Sequence, residues 1–332
     1  MMAFRSIIQL IYIVNVAGTL KLHAQQVLAS ADNLQTIDVC ADEGESIDKD
    51  NSACKTRGGF RNIGSSENVI EHFFSSRNDN NGVSSTKSYM ENFHFHGWRW
   101  HTLSVVRDTS RLQKFATKLG HDPSENVKQI AQLGKAVDHV IDFNLKGLQR
   151  IENNVFFPWL RKKLTVINRD GDEKDLNRAF KQVIDDIEVG RREVVKIASD
   201  IRSHMKEVVS HDENSREDIQ TATLQIAKKS ESLTFLIRDI FEKEVTYLVP
   251  AIAELVPAKE QKSVNSKILR NLGLFESRAI LVGMFETLQD SRYGNQEERS
   301  LFDREIPFIP RKMMPRWKKS LYESQAGMLE ER

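Results

Sequence analysis

The chain has 332 residues, a charged fraction of 29% and a formal net charge of +1. That length holds one large domain or two average ones, and the charge balance gives no global reason to expect nucleic acid as a partner. A mean hydropathy of −0.47, with no run of the ~20 apolar residues a spanning helix needs, argues against an integral membrane protein.

The first 24 residues read as a targeting segment. Arg5 precedes an apolar run from Ile7 to Leu20, interrupted by Gln9 and Asn15, and no acidic residue occurs before Asp32. Leu22-His23-Ala24 before Gln25 offers a cleavage site, so a secretory signal is expected. An uncleaved apolar helix or an organellar transit peptide is the alternative. The expected location is the secretory pathway or outside the cell, with an organellar or cytoplasmic one as the alternative. Cys40 and Cys54 would pair as a disulfide in a secreted chain and stay free thiols in a cytosolic one. Residues 25–90 are rich in Ser, Asn, Asp and Gly and carry no lasting period, as expected of a polar, largely disordered linker. Within them Val69-Ile70-Glu71-His72-Phe73-Phe74 is an apolar island that could dock on the domain.

Order is expected to begin near Phe93, in a helical domain over residues 93–290. Trp98, Leu103, Val106, Leu112, Phe115 and Leu119 are spaced for one apolar face of a first helix. Asp122-Pro123 can cap and start a second segment running to about Leu164, with a possible break at Gly134 and a kink at Pro158. Leu176, Phe180, Val183, Ile187, Val194, Ile197, Ile201 and Met205 line the inner face of a third helix, from about Lys174 to Val209. A fourth runs from about Glu217 to Val256, kinked near Pro250, and a fifth from about Gln261 to Leu288. No strand alternation occurs between 93 and 290. Long amphipathic helices joined by short polar turns predict an all-α, up-down four-helix bundle with an extra C-terminal helix. The remainder, residues 291–332, is expected to form an extended arm. Ile306 to Lys319 holds three prolines and five basic residues, so one continuous helix is not expected there. Ile306, Phe308, Ile309 and Trp317 could pack this arm along the bundle. A contact with a protein partner or an anionic membrane surface is the sharper alternative.

Chemistry-bearing patterns are few. Gly-rich phosphate loops, Gly-x-Ser-x-Gly and His-Glu-x-x-His are all missing from the sequence. Asp170-Gly171-Asp172-Glu173 lacks the later ligands of a calcium loop and reads as a solvated turn. One repeated frame stands out. Leu148…Glu152…Val155-Phe156-Phe157-Pro158 and Ile240…Glu244…Leu248-Val249-Pro250 each place a glutamate six residues before a proline and one helical turn after an apolar residue.

That frame resembles the hemerythrin-like, or HHE cation-binding, family. There His-x-x-x-Glu followed by an apolar pair and Pro occurs on two helices of a bundle, and histidines and carboxylates hold two irons. The resemblance covers about residues 93–257. It implies His101, Glu152 and Glu244 as the metal-ligand candidates, with His94 and His96 secondary to His101. The histidine positions of both frames are apolar, Leu148 and Ile240, and Ile187-Glu188-Val189-Gly190-Arg191 stands where the third helix would carry another histidine. The other helix histidines, His139, His204 and His211, lie away from the expected positions. The expectation is therefore a hemerythrin-like bundle that has lost most ligands and serves as a non-catalytic binding or scaffold module. The alternative is an iron-binding protein that binds or senses oxygen, or does redox chemistry, at a reduced carboxylate-rich site. Without metal, inward glutamates need a cation or a shared proton, and Arg107 and Arg150 are the partners the sequence offers.

Overall fold

Why the chain is helical follows from its apolar stripes, which recur at helical spacing and have no alternating segment to compete with them. The computed structural model describes residues 69–70, 89, 92–121, 127–166, 173–210, 216–272 and 274–329. All belong to one unit, residues 59–332. Every regular element among them is helical. The leader, nearly all of the linker, Cys40, Cys54, the 170–172 turn and His211 lie outside the described residues. Of the apolar island, Ile70 is buried in the core and Val69 is exposed.

The helices are α1 (His96–His121), α2 (residues 127–166), α3 (Glu173–Ser210), α4 (residues 216–255), α5 (Ala258–Asn271), α6 (Leu274–Gln289), α7 (Gln296–Glu305) and α8 (residues 308–329). α2 runs through Gly134 without a break. The single fifth helix expected over 261–288 is two helices, because Leu272 adopts an extended backbone (φ −80°, ψ 127°) that ends α5. α1 packs on α2 and α4, and α3 packs on the same two. α6 covers α1, and α8 lies on α6 and reaches α1 and α2.

The C-terminal arm is helical, which corrects the extended tail. Ile306 (φ −84°, ψ 125°) and Pro307 (φ −57°, ψ 152°) separate α7 from α8. Pro310 then falls in the first turn, where a missing N–H costs no helical bond. Proline punctuation marks the start of a helix here.

The core is rich in aromatics at the start of α1. Trp98 stacks on Phe156 (centroids 5.2 Å apart, planes 16°), and Phe156 also meets Phe95 and Phe157 edge-on. Gln261, fully buried, ties the strand of chain before α1 to the α4–α5 corner. Its amide donates to the carbonyls of Asn92, Ile252 and Val256, and its oxygen accepts from the His94 N–H.

Candidate functional site

Both glutamate frames fold alike. Glu152 opens a π-turn, Glu152–Phe156, closed by the Phe157 N–H on the Glu152 carbonyl. Glu244 opens the matching turn, Glu244–Leu248, closed by the Val249 N–H on the Glu244 carbonyl. A proline inside an α-helix removes a donor and clashes with the carbonyl four residues back. The wider π-turn just ahead of Pro158 and Pro250 absorbs both problems. The helix continues beyond each in right-handed geometry, with Phe157 at φ −68°, ψ −40° and Val249 at φ −62°, ψ −49°. Single π-turns of this kind recur at functional sites.

Glu152 and Glu244 both point inward and are buried. Their partner is Arg191 of α3. A single guanidinium nitrogen, Nη2, lies 2.5 Å from Glu152 Oε1 and 2.6 Å from Glu244 Oε1. The Arg191 Cζ stands 4.2 Å from the centre of the Phe157 ring, and the Trp98 indole donates to Glu152 Oε1 at 3.1 Å. The cluster thus draws on α1, α2, α3 and α4. Gly190, beside Arg191, lets α3 approach α4: a Cβ there would stand 3.0 Å from two carbons of Ile240.

Burial pushes the Glu244 carboxyl up to about 8. Arg191 pulls against that shift, and the neighbouring Glu152 charge adds to it. Burial raises Glu152 as well, against Arg191 and the Trp98 hydrogen bond. Burial alone would lower Arg191, but the two carboxylates outweigh it and hold the guanidinium above its ordinary value. One cation facing two carboxylates leaves one negative charge in excess, which favours the protonated form of Glu244.

His101 does not join this group. It sits in a second buried cluster, where its Nε2 lies 2.8 Å from Asn144 Oδ1. The Asn144 amide donates to Asp108 Oδ2 at 2.9 Å, and His139 Nε2 is 3.3 Å from the same oxygen. Arg107 donates to Asp108 Oδ1 at 2.7 Å through Nη2 and at 2.9 Å through Nε, and also to the Tyr322 hydroxyl of α8. His139 and Asn144 come from a longer π-helical stretch of α2, Asp138–Leu145. Burial holds His101 down at about 4, against its bond to Asn144. Burial alone would raise Asp108; the Arg107 charge and the His139 hydrogen bond outweigh it and hold the carboxyl well below the usual range.

Of the three ligand candidates, then, Glu152 and Glu244 meet and His101 is elsewhere. The expected glutamate partners are corrected too: Arg107 belongs to Asp108 and Tyr322, and Arg150 pairs with Glu276 on α6. His96 is a core residue stacked on Trp100, and burial holds it at about 4. The donor set does not fit iron. The position between the carboxylates is taken by a guanidinium, and among the described residues no histidine adjoins them and no three His, Cys, Asp or Glu side chains converge as ligands. Arg191 had a signal in the sequence: it falls four residues after Ile187 and three before Val194, both buried. Asp108 and Asn144 carried no comparable one.

Compared with family models, curated proteins and solved structures, the chain finds no match.

Proposed function

We propose that the chain is a hemerythrin-like, up-down four-helix bundle in which Arg191 has taken the place of the metal, and that it works as a non-catalytic binding or scaffold module. The observation that carries this reading is the guanidinium between Glu152 and Glu244 at two matching π-turns. A cation supplied by a side chain neutralises inward carboxylates without any ion being loaded, but it offers no open coordination position for oxygen or substrate. The mutual packing of α1 with α2 and α4, and of α3 with the same two, supports the four-helix arrangement. The short connections at 122–126, 167–172 and 211–215 support antiparallel neighbours.

The test is metal analysis of full-length protein purified without chelator, then supplied with ferrous iron under anaerobic conditions and exposed to oxygen. The expected result is no stoichiometric metal and no iron-to-oxygen absorption band. Stoichiometric iron that is lost in Glu152→Gln/Glu244→Gln would overturn the reading.

A further inference from the structure

The two sides of α8 differ in how their cations are satisfied. Residues 306–322 contain five Lys or Arg residues and no Asp or Glu. On the inner side Met314 and Tyr322 are buried, Lys318 donates to Glu286 of α6 at 2.7 Å, and Arg311 lies 3.7 Å from Asp303. Trp317 takes the guanidinium of Arg278 over its ring at 5.3 Å. These contacts fasten the helix to the body of the protein.

Among the described residues the outer side has no such contacts. Phe308, Lys312 and Arg316 follow at four-residue spacing, so they share one face, and Ile309 and Lys319 adjoin it. All five are exposed, Phe308 at 63% and Ile309 at 55%. The Lys312 ammonium stands 5.2 Å over the Phe308 ring. Among the described residues no carboxylate pairs with Lys312, Arg316 or Lys319. Two large apolar side chains beside three unpaired cations make a surface with a defined complement. It is an anionic layer with an apolar layer beneath it, in which aromatic and aliphatic side chains enter the headgroup boundary and Lys and Arg meet the headgroups. A nucleic-acid backbone would use the cations and leave Ile309 and Phe308 in water.

We propose that this face of α8 docks the protein on an anionic membrane surface. The inference rests on the binding-module reading and names what the module binds. Each Lys or Arg near an anionic surface strengthens partitioning about fivefold, so the three together contribute roughly 100-fold.

The experiment is co-sedimentation of the full chain with vesicles of phosphatidylcholine alone and of phosphatidylcholine with phosphatidylserine in a two-to-one ratio, at low and high salt. The expected result is binding to the anionic vesicles only, weakened by salt. Lys312→Gln/Arg316→Gln/Lys319→Gln should weaken it roughly 100-fold, and Phe308→Ala/Ile309→Ala roughly tenfold. All five side chains are exposed, so the variants should melt like the wild type, and a melting curve on each confirms that they are folded. Equal binding to both vesicle types, no binding to anionic vesicles at low salt, or indifference to either variant would overturn the proposal. So would a duplex oligonucleotide that displaces the vesicles from wild type and Phe308→Ala/Ile309→Ala alike. Metal content measured on the same preparation keeps the two readings apart: iron in the protein removes the reading in which Arg191 takes the place of the metal, and leaves the docking result standing.

Discussion

Removing the Arg191 guanidinium should destabilise the protein in a way that grows with pH. Among the described residues Arg191 is the cation in contact with both carboxylates; without it Glu152 keeps the Trp98 indole, while Glu244 loses its hydrogen bond from Arg191. Breaking a buried ion pair from one side costs about 3–5 kcal/mol. For a domain of this size that corresponds to roughly 10 °C in Tm. The sign of the pH effect follows from Glu244. Its pKa is raised from 4.5 to about 8, so the folded state holds more protons than the unfolded one across that window. Its contribution is therefore complete below 4.5 and is lost as pH rises through 8. His101 runs the other way: lowered from 6.5 to about 4, it contributes stability above 6.5 that is lost as pH falls towards 4. Measured between pH 6.5 and about 8.5, the response isolates the glutamates. Arg191→Met, followed by chemical denaturation at both pH values, should show the larger penalty at the higher one, where both carboxylates must ionise unpaired. Adding Glu152→Gln and Glu244→Gln to Arg191→Met should recover most of the loss. The two Gln changes alone should not, because they strand the guanidinium. A penalty under about 1 kcal/mol, or one equal at both pH values, would refute the reasoning.

Asn144→Asp would set a second carboxylate beside Asp108, within a buried cluster where that side chain otherwise meets only His101 and the Ser104 hydroxyl among the described residues; a loss of about 3 kcal/mol or more at neutral pH is expected, measured by urea unfolding. Gln261→Leu removes the side-chain partner of the buried Ile252 and Val256 carbonyls and of the partly buried Asn92 carbonyl and His94 N–H, and should cost about 3 kcal/mol by the same assay. Tyr322→Phe removes a hydroxyl from Arg107 and should cost about 1.5–3 kcal/mol, with amide exchange in α8 rising before exchange in α4.

Helices were legible in the sequence because burial repeats at helical spacing: Leu112, Phe180, Ile187, Ile201 and Leu248 all lie in the core. The inward aim of Glu152 and Glu244 was legible for the same reason, since Leu148 and Ile240, one turn earlier, are buried. Their partner was not read. Arg191 and Arg192 are neighbours in sequence, and only their phase relative to Ile187 and Val194 separates the half-buried one from the exposed one. Arg107 looked equally suitable, but the adjacent Asp108 captures it, a contact no helical spacing rule anticipates. The tail reading failed on proline: Pro307 does lie at the break before α8, but Pro310 falls in the first turn of that helix and Pro315 inside it, where an extended arm was expected.

The glutamate–arginine cluster also has a consequence for uniqueness. Apolar packing is non-directional and tolerates a helix sliding along its neighbour. A buried charge does not: moving α3 by one turn, about 5.4 Å, would carry Arg191 beyond both glutamates and leave the guanidinium and the ionised carboxylate without their partners. The cluster touches four helices, so one misplacement is penalised at several contacts. Replacing it with well-packed apolar residues, Glu152→Leu/Arg191→Met/Glu244→Leu, removes the desolvation cost and should hold or raise Tm. We predict that it also loosens the alignment. Amide exchange should quicken in the middle of α3, and resonances near Gly190 should broaden or double, while far-ultraviolet helicity stays unchanged. A variant of equal or higher Tm with a single, unbroadened set of resonances would mean that apolar complementarity alone sets the register and that the cluster is only a tolerated cost.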